Sequence, residues 1–327
     1  MRITLRDIRK QYGKLSANDG IDLEITEGSI HGILGENGAG KSTLMKVLAG
    51  YTVKTSGTIL INGRPAEYDH PSQATRLGIG MLYQDPLDFP PLTVLDNFMM
   101  GLDRGLISKE EAYRLRLGKM AGPFGFHLDP DTAVERLTVG ERQQLELVRL
   151  LALGVEVLIL DEPTTGISNV QKQALFSALR KLALEGKTIL LVSHKLEDVE
   201  KLCDQVAVLR QGKLIGEMKR PLDKKKLVEM MFGKEVPLGE RQTLTREETA
   251  LELRDLAVED VRLRLSGIDL KVHAGEVIGR AGTEGSGQGP FIRACAGLMR
   301  PVNGQVLVNN HDLTGKSYHV YKREGVS

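Results

Sequence analysis

The sequence predicts an α/β fold built round a phosphate-binding loop. It has a mixed α/β core with a helical subdomain, followed by an incomplete second copy of that core. Three observations predict this. Residues 35–43 read GENGAGKST between an apolar strand and an amphipathic helix. Residues 155–163, VEVLILDEP, read as a buried strand that ends in two carboxylates. The glycines of the first loop recur 247 positions later, Gly35 at Gly282 and Gly40 at Gly287.

The first loop fits G-x-x-x-x-G-K-[ST] with Gly35, Gly40, Lys41 and Ser42. Its glycines let the backbone N–H groups of Asn37, Gly38, Ala39, Gly40 and Thr43 turn inward around phosphate. Lys41 brings positive charge to the β- and γ-oxygens, and the Ser42 hydroxyl suits Mg²⁺. SIHGIL (29–34) before it is a short apolar strand. In STLMKVLAG after it, Leu44, Val47 and Leu48 share a helical face and Gly50 ends the helix. Strand, loop and helix in that order place phosphate at a helix N-terminus.

Asp161 and Glu162 close the second apolar strand. The first acid suits Mg²⁺ through its water shell, and the second suits the attacking water. TILLVSHK (188–195) is another apolar strand, and it ends at His194, which reads either as a structural histidine or, by its place in the order, as a group able to reach a γ-phosphate. Between them, residues 137–154 begin with the S/T-x-x-E pattern of a capping box, Thr138 and Glu141. Leu145, Val148, Leu151 and Ala152 form the apolar face of this helix, and Gly154 closes it. It reads either as a well-capped helix or as a positive helix end offered to a phosphate on another domain.

With Lys41, the 137–141 segment, Asp161–Glu162 and His194 in this order, residues 1 to about 235 resemble an ABC-type ATPase domain. The resemblance implies ATP and Mg²⁺ as ligands and a P-loop ABC fold. It casts LTVGE as the signature segment, where Thr138 keeps the hydroxyl and Gly140 the close backbone approach. Glu141 departs from the usual neutral amide. By the same resemblance Gln84 senses Mg²⁺ and the γ-phosphate, and Tyr12 stacks on adenine. Ser168 stands where many members carry an aspartate. GENGAGKSTLMKVLAG with VGERQ is similar to the tandem ATPase subunits of bacterial importers for simple sugars or nucleosides. That implies transmembrane permease subunits, an extracytoplasmic solute-binding protein and a place on the inner face of the cell membrane.

The repeat extends the resemblance. IDLEITEGSIHGILGENGAGKS (21–42) lies over IDLKVHAGEVIGRAGTEGSGQG (268–289) without a gap, and GTILINGR over GQVLVNNH. A gapless match of this length marks a repeated unit. Gln288 replaces Lys41 and Gly289 replaces Ser42, so the second loop lacks both its charge and its metal-binding hydroxyl. It is expected to be nearly inert in phosphoryl transfer, which depends on positioning and electrostatics. The counterpart of Gln84 falls beyond Ser327, so the second copy is read as truncated. Apolar stretches such as EVIGRAG and GQVLVN are expected to lie uncovered. The expected order is an ATPase domain over 1–235 with a helical insert at about 85–154, a linker over 236–250, and the partial domain over 251–327.

Composition narrows the function. The 327 residues are 41% hydrophobic and 27% charged, with a net charge of +1. No basic excess marks a nucleic-acid groove. No apolar run approaches the ~20 residues of a membrane span, and MRITLRDIRK lacks a signal core. Cys203 and Cys295 are in no metal spacing and read as two buried thiols in a reducing compartment. The expected protein is a cytoplasmic ATPase, peripheral on the membrane and able to pair through its first domain. The alternatives are a soluble tandem ATPase acting on ribosomes or DNA, and a regulatory module that binds nucleotide without turnover.

Overall fold

The computed structural model describes residues 1–83, 87–102, 110–233, 248–260, 263–282 and 286–326. The chain divides into two compact units, Met1–Pro237 and Leu238–Ser327. Gln84 lies outside the described residues, as do Gly285 and most of the stretch read as a linker.

In the first unit β1 (Ile3–Tyr12) and β2 (Leu15–Ile25) form a hairpin. β3 (Ile30–Leu34) runs into the glycine loop and α1 (Lys41–Leu48) leaves it. β4 (Ser56–Ile61), β5 (Arg64–Ala66), α2 (Pro71–Arg76) and β6 (Ile79–Leu82) follow. Three helices come next: α3 (Val94–Met99), α4 (Glu110–Ala121) and α5 (Val139–Ala152). The chain then returns through β7 (Val157–Asp161), α6 (Asn169–Leu184), β8 (Thr188–Val192) and α7 (Leu196–Leu202). β9 (Gln205–Arg210), β10 (Lys213–Lys219) and α8 (Lys224–Phe232) complete it.

These strands make two sheets. One is antiparallel, in the order β2-β1-β4-β5. The other has the order β10-β9-β3-β8-β7-β6, parallel from β9 to β6. Both faces of the parallel sheet are covered, which is why its strands read as unbroken apolar runs. Leu158 and Leu160 of β7 face a core shared with α3 to α6. Val157 and Ile159 face the antiparallel sheet and α1. β8 divides in the same way, Ile189 and Leu191 against Leu190 and Val192. The buried face of α5 is wider than its periodicity suggested: Leu147 and Leu150 are buried, while Leu151 is only partly so.

The second unit has β11 (Thr249–Glu259), β12 (Arg264–His273), α9 (Gln288–Cys295), β13 (Asn303–Val308), β14 (His311–Asp312) and α10 (Tyr318–Arg323). Its sheet order, β12-β11-β13-β14, repeats that of the first antiparallel sheet. α9 starts and ends 247 positions after α1, and the left-handed Asn62 and Asn309 share φ 50°. Upstream the spacing changes. Lys10 pairs with Asn18 and Gln11 with Ser16, whereas Val258 pairs with Leu265 and Glu259 with Arg264. The second hairpin therefore lacks one residue of the first one's bulge, and Ala17 has no counterpart.

Of the two apolar stretches expected to lie uncovered, one is covered and the other is exposed. GQVLVN is not uncovered: it forms β13 and buries Val306 and Val308 in the second unit's own core. EVIGRAG does not form a strand, and Val277 and Ile278 are 75% and 44% exposed. β3 is held between β8 and β9. Among the described residues of the second unit no strand takes those places, so the equivalent stretch has no ladder to join. Cys203 is buried as expected, but Cys295 is only half-buried.

Candidate active site

The loop after β3 is shaped by close contact. Gly40 caps α1 at φ 96°, and a Cβ there would lie 2.3 Å from the Ala17 carbonyl oxygen and 2.7 Å from Asn18 Nδ2. Asn18 is fully buried and donates to the Gly40 carbonyl at 3.0 Å. A Cβ on Gly35 would meet the Leu209 carbonyl oxygen at 2.2 Å. Gly38, at φ 83°, faces open space. The loop is thus propped from behind by β2 and β9, and Gly38 leaves room for a ligand.

Lys41 is 6% exposed and folds back over this loop. Its Nζ donates to the Gly35 carbonyl at 2.8 Å and to that of Glu36 at 2.9 Å. Burial lowers the pKa of its ammonium, while Glu162 and Asp161 oppose the shift. The Ser42 hydroxyl donates to Asp161 Oδ1 at 3.1 Å. Burial raises the pKa of the Asp161 carboxyl, against that hydrogen bond. A desolvated carboxylate and a hydroxyl that converge at a helix N-terminus, within the electrostatic influence of Lys41 and Lys46, form oxygen ligands suited to Mg²⁺ beside phosphate.

Glu162 follows at φ 49°, a left-handed conformation that costs a non-glycine residue about 1–3 kcal/mol. Its amide donates to the Val192 carbonyl at 2.9 Å. Its Oε1 lies 2.7 Å from His194 Nδ1. The twist lets consecutive carboxylates serve different ends, with Asp161 toward Ser42 and Glu162 toward His194. Lys41, Ser42, Asp161, Glu162 and His194 therefore gather at the carboxyl ends of β3, β7 and β8.

Tyr12, Thr138, Gly140 and Glu141 lie on other elements, β1 and the start of α5. Tyr12, at the end of β1, is 49% exposed, with the Lys10 ammonium 4.8 Å from its ring centroid. Thr138 caps α5, and the Glu141 carboxylate closes the capping box. Gly140 is buried against the side chain of Gln171. Gln84 lies outside the described residues. Sequence reasoning missed Asn18, which no spacing signals. It also missed Gln171, although S-x-x-Q at 168–171 is itself a capping-box pattern.

The second loop has a different support. Gly287 keeps the cap conformation at φ 94°, but a Cβ there would meet Leu265 and Leu263 side chains at 2.7 to 2.9 Å. Leu265 takes the place of Asn18, so an apolar wedge replaces the polar prop. The Gln288 amide rests against Gly282, where a Cβ would lie 2.2 Å from its Nε2. Arg280 donates to the Gln288 carbonyl and lies 5.2 Å from the Phe291 ring centroid.

Residues 18–165 match the protein family described as ABC transporter. The chain is 33% identical over 321 residues to a nucleoside import ATP-binding protein of Lactococcus lactis subsp. cremoris, covering 96% of this chain and 63% of that protein. It is 37% identical over 333 residues to a ribose import ATP-binding protein of Rubrobacter xylanophilus, covering 99% and 65%. The chain thus spans just under two thirds of the length of these relatives. A solved nucleotide-free ATP-binding cassette from an ABC transporter is similar over its whole length and 72% of this chain, with a TM-score of 0.64 and 25% identity.

Proposed function

We propose that the chain carries the ATP-binding domain of an ABC transporter, a reading supported by the family match over residues 18–165, and that it hydrolyses ATP to energise a membrane importer of a small sugar- or nucleoside-like solute. The observation that carries this reading is the convergence of Lys41, Ser42, Asp161 and the Glu162–His194 pair beyond the carboxyl ends of parallel strands. Ligands of parallel α/β sheets bind there. The importer class is supported by the names of the relatives, a nucleoside import and a ribose import ATP-binding protein.

In this reading the amides of Asn37, Gly38, Ala39, Gly40, Ser42 and Thr43 cradle the phosphates. Lys41 exchanges the Gly35 and Glu36 carbonyls for phosphate oxygens, so its buried ammonium gains a charged partner. Ser42 and Asp161, with Gln84, would hold Mg²⁺, which when bound neutralises charge on the phosphate oxygens. Glu162 takes a proton from the attacking water, and His194 steadies Glu162 and the γ-phosphate. Tyr12 stacks on the base. Thr138, Gly140 and Glu141 face nucleotide held by a partner cassette, which makes a homodimer through the first domain one route to a complete site. The second domain, from about residue 251, is a degenerate copy. Among the described residues no helix is long and apolar enough to cross a membrane. The proposed partners are permease subunits and an extracytoplasmic solute-binding protein, with this chain on the inner face.

Phosphate release is measured for the wild type, Lys41→Ala and Glu162→Gln across a wide dilution series, with light scattering in parallel. Glu162→Gln is expected to lose about 100-fold or more in rate while keeping its affinity for ATP. The rate per chain is expected to rise with protein concentration. A Glu162→Gln protein that hydrolyses like the wild type sinks the assignment. A fast rate that stays flat while the chain is monomeric sinks the pairing.

A further inference from the structure

One side chain ties the N-terminus of α5 to that of α6. Gln171 Oε1 accepts from the Ser168 amide at 3.0 Å, and its Nε2 donates to Thr138 Oγ at 2.9 Å. The Ser168 hydroxyl accepts in return from the Gln171 amide at 3.3 Å. A single carboxamide therefore completes the cap of its own helix and reaches the cap residue of another. The fit is tight, since a Cβ on Gly140 would lie 2.6 Å from Gln171 Cδ.

From the other side, Glu141 Oε2 accepts from both the amide and the hydroxyl of Thr138, each at 2.8 Å. A threonine hydroxyl has one proton and two lone pairs. Here the proton goes to Glu141. The lone pairs take Gln171 Nε2 and, at 3.3 Å, the Glu141 amide. The hydroxyl is saturated, and only its proton can be passed to a new acceptor without breaking the Gln171 bond.

Gln171 is also linked to the chemistry of its own domain. It lies nine positions after Glu162, and the segment between is anchored. The Thr164 hydroxyl donates to Asp198 Oδ2 at 2.6 Å, and Lys195 Nζ donates to the Thr164 carbonyl at 3.1 Å. Asp198, 1% exposed, is also paired with Lys172, the neighbour of Gln171 on α6.

Resting on the reading above, in which Thr138 faces nucleotide held by a second cassette, we infer that Gln171 is a positioning residue for a contact between the Thr138 hydroxyl and a phosphate of that nucleotide. Its amide holds the Thr138 oxygen through a lone pair. The hydroxyl proton is left to turn from Glu141 to the incoming phosphate. A donor at position 171 is compatible with both states. A carboxylate there would demand the same proton and would stand beside Glu141. Gln171→Glu keeps an acceptor for the Ser168 amide, so it removes the bridge with the cap still in place.

The test uses the full chain and follows phosphate release against ATP concentration at fixed protein. The variants are Lys41→Ala, Gln171→Glu, Thr138→Ala, Thr138→Ala with Gln171→Glu, and Gln171→Glu with Glu141→Gln. Melting temperature and nucleotide affinity of the dilute chain are measured alongside. Gln171→Glu is expected to raise the half-saturating ATP concentration about tenfold, the scale of one lost hydrogen bond, with dilute-chain affinity unchanged. The exchange with Glu141→Gln restores one amide and one carboxylate around the hydroxyl and is expected to recover most of the loss. In the Thr138→Ala background the Gln171 substitution adds nothing. If Gln171→Glu lowers the melting temperature, Gln171→Leu removes the bridge without adding charge, and its loss must vanish in the same background. An unaltered Gln171→Glu protein, an equal loss without the Thr138 hydroxyl, or failure of the exchange overturns the inference. Turnover that does not depend on Lys41 overturns the functional reading as well.

Discussion

His31 sits in the middle of β3, the strand that delivers the phosphate loop, and it is 2% exposed. The Thr26 amide donates to its Nε2 at 2.9 Å, and its other ring nitrogen contacts the Gln205 amide. Burial pushes its pKa down from 6.5 to about 4; Lys219 adds to this and Asp204 opposes it. The unfolded chain therefore binds more protons than the folded one between these two values. Stability from this residue is fully present above pH 6.5 and is lost as the pH falls toward 4. The full shift corresponds to about 3 kcal/mol, of which about 2 kcal/mol is already lost at pH 5. The perturbation is His31→Gln, which keeps an acceptor for the Thr26 amide and cannot be protonated. Because the chain has two units, a global melt mixes two transitions. Hydrogen exchange of the slowest β3 amides, corrected for intrinsic rates, isolates the first unit. The wild type is expected to lose about 2 kcal/mol more than His31→Gln between pH 7 and pH 5. Equal losses would show that protonated His31 is accommodated in the folded strand.

Two further perturbations address the site. Burial holds the Asp161 carboxyl above the usual range, so the folded state binds more protons there than the unfolded one, and stability falls as the pH rises through that interval. Asp161→Asn should raise the melting temperature of the nucleotide-free chain at neutral pH and abolish Mg²⁺-dependent turnover; a lower melting temperature would show that the charge is stabilising in place. Lys41→Ala should cost at least about 100-fold in ATPase rate, on the scale of a lost electrostatic donor, whereas Gln288→Ala should leave the rate within a few-fold. Equal losses, read by phosphate release from an assembled importer, would contradict the asymmetry between the two loops.

Where chemistry depends on neighbours in the chain, it was legible in the sequence. GENGAGKST, its flanking strand and helix, the two acids after an apolar run and the Thr138–Glu141 box are local patterns. Each is set by backbone geometry within a few residues, and their order carried the family resemblance. The repeat was legible for the same reason, since a constant spacing survives whatever the packing. Tertiary structure decided what depends on elements far apart in sequence. Asn18 props Gly40 across 22 positions, and Gln171 reaches Thr138 across 33. Pairing decided between EVIGRAG and GQVLVN, two similar apolar stretches. One has β11 beside it and becomes β13. The other has no flanking parallel strand among the described residues and stays exposed. A strand is not a property of its own residues alone, because its hydrogen bonds belong to its neighbours.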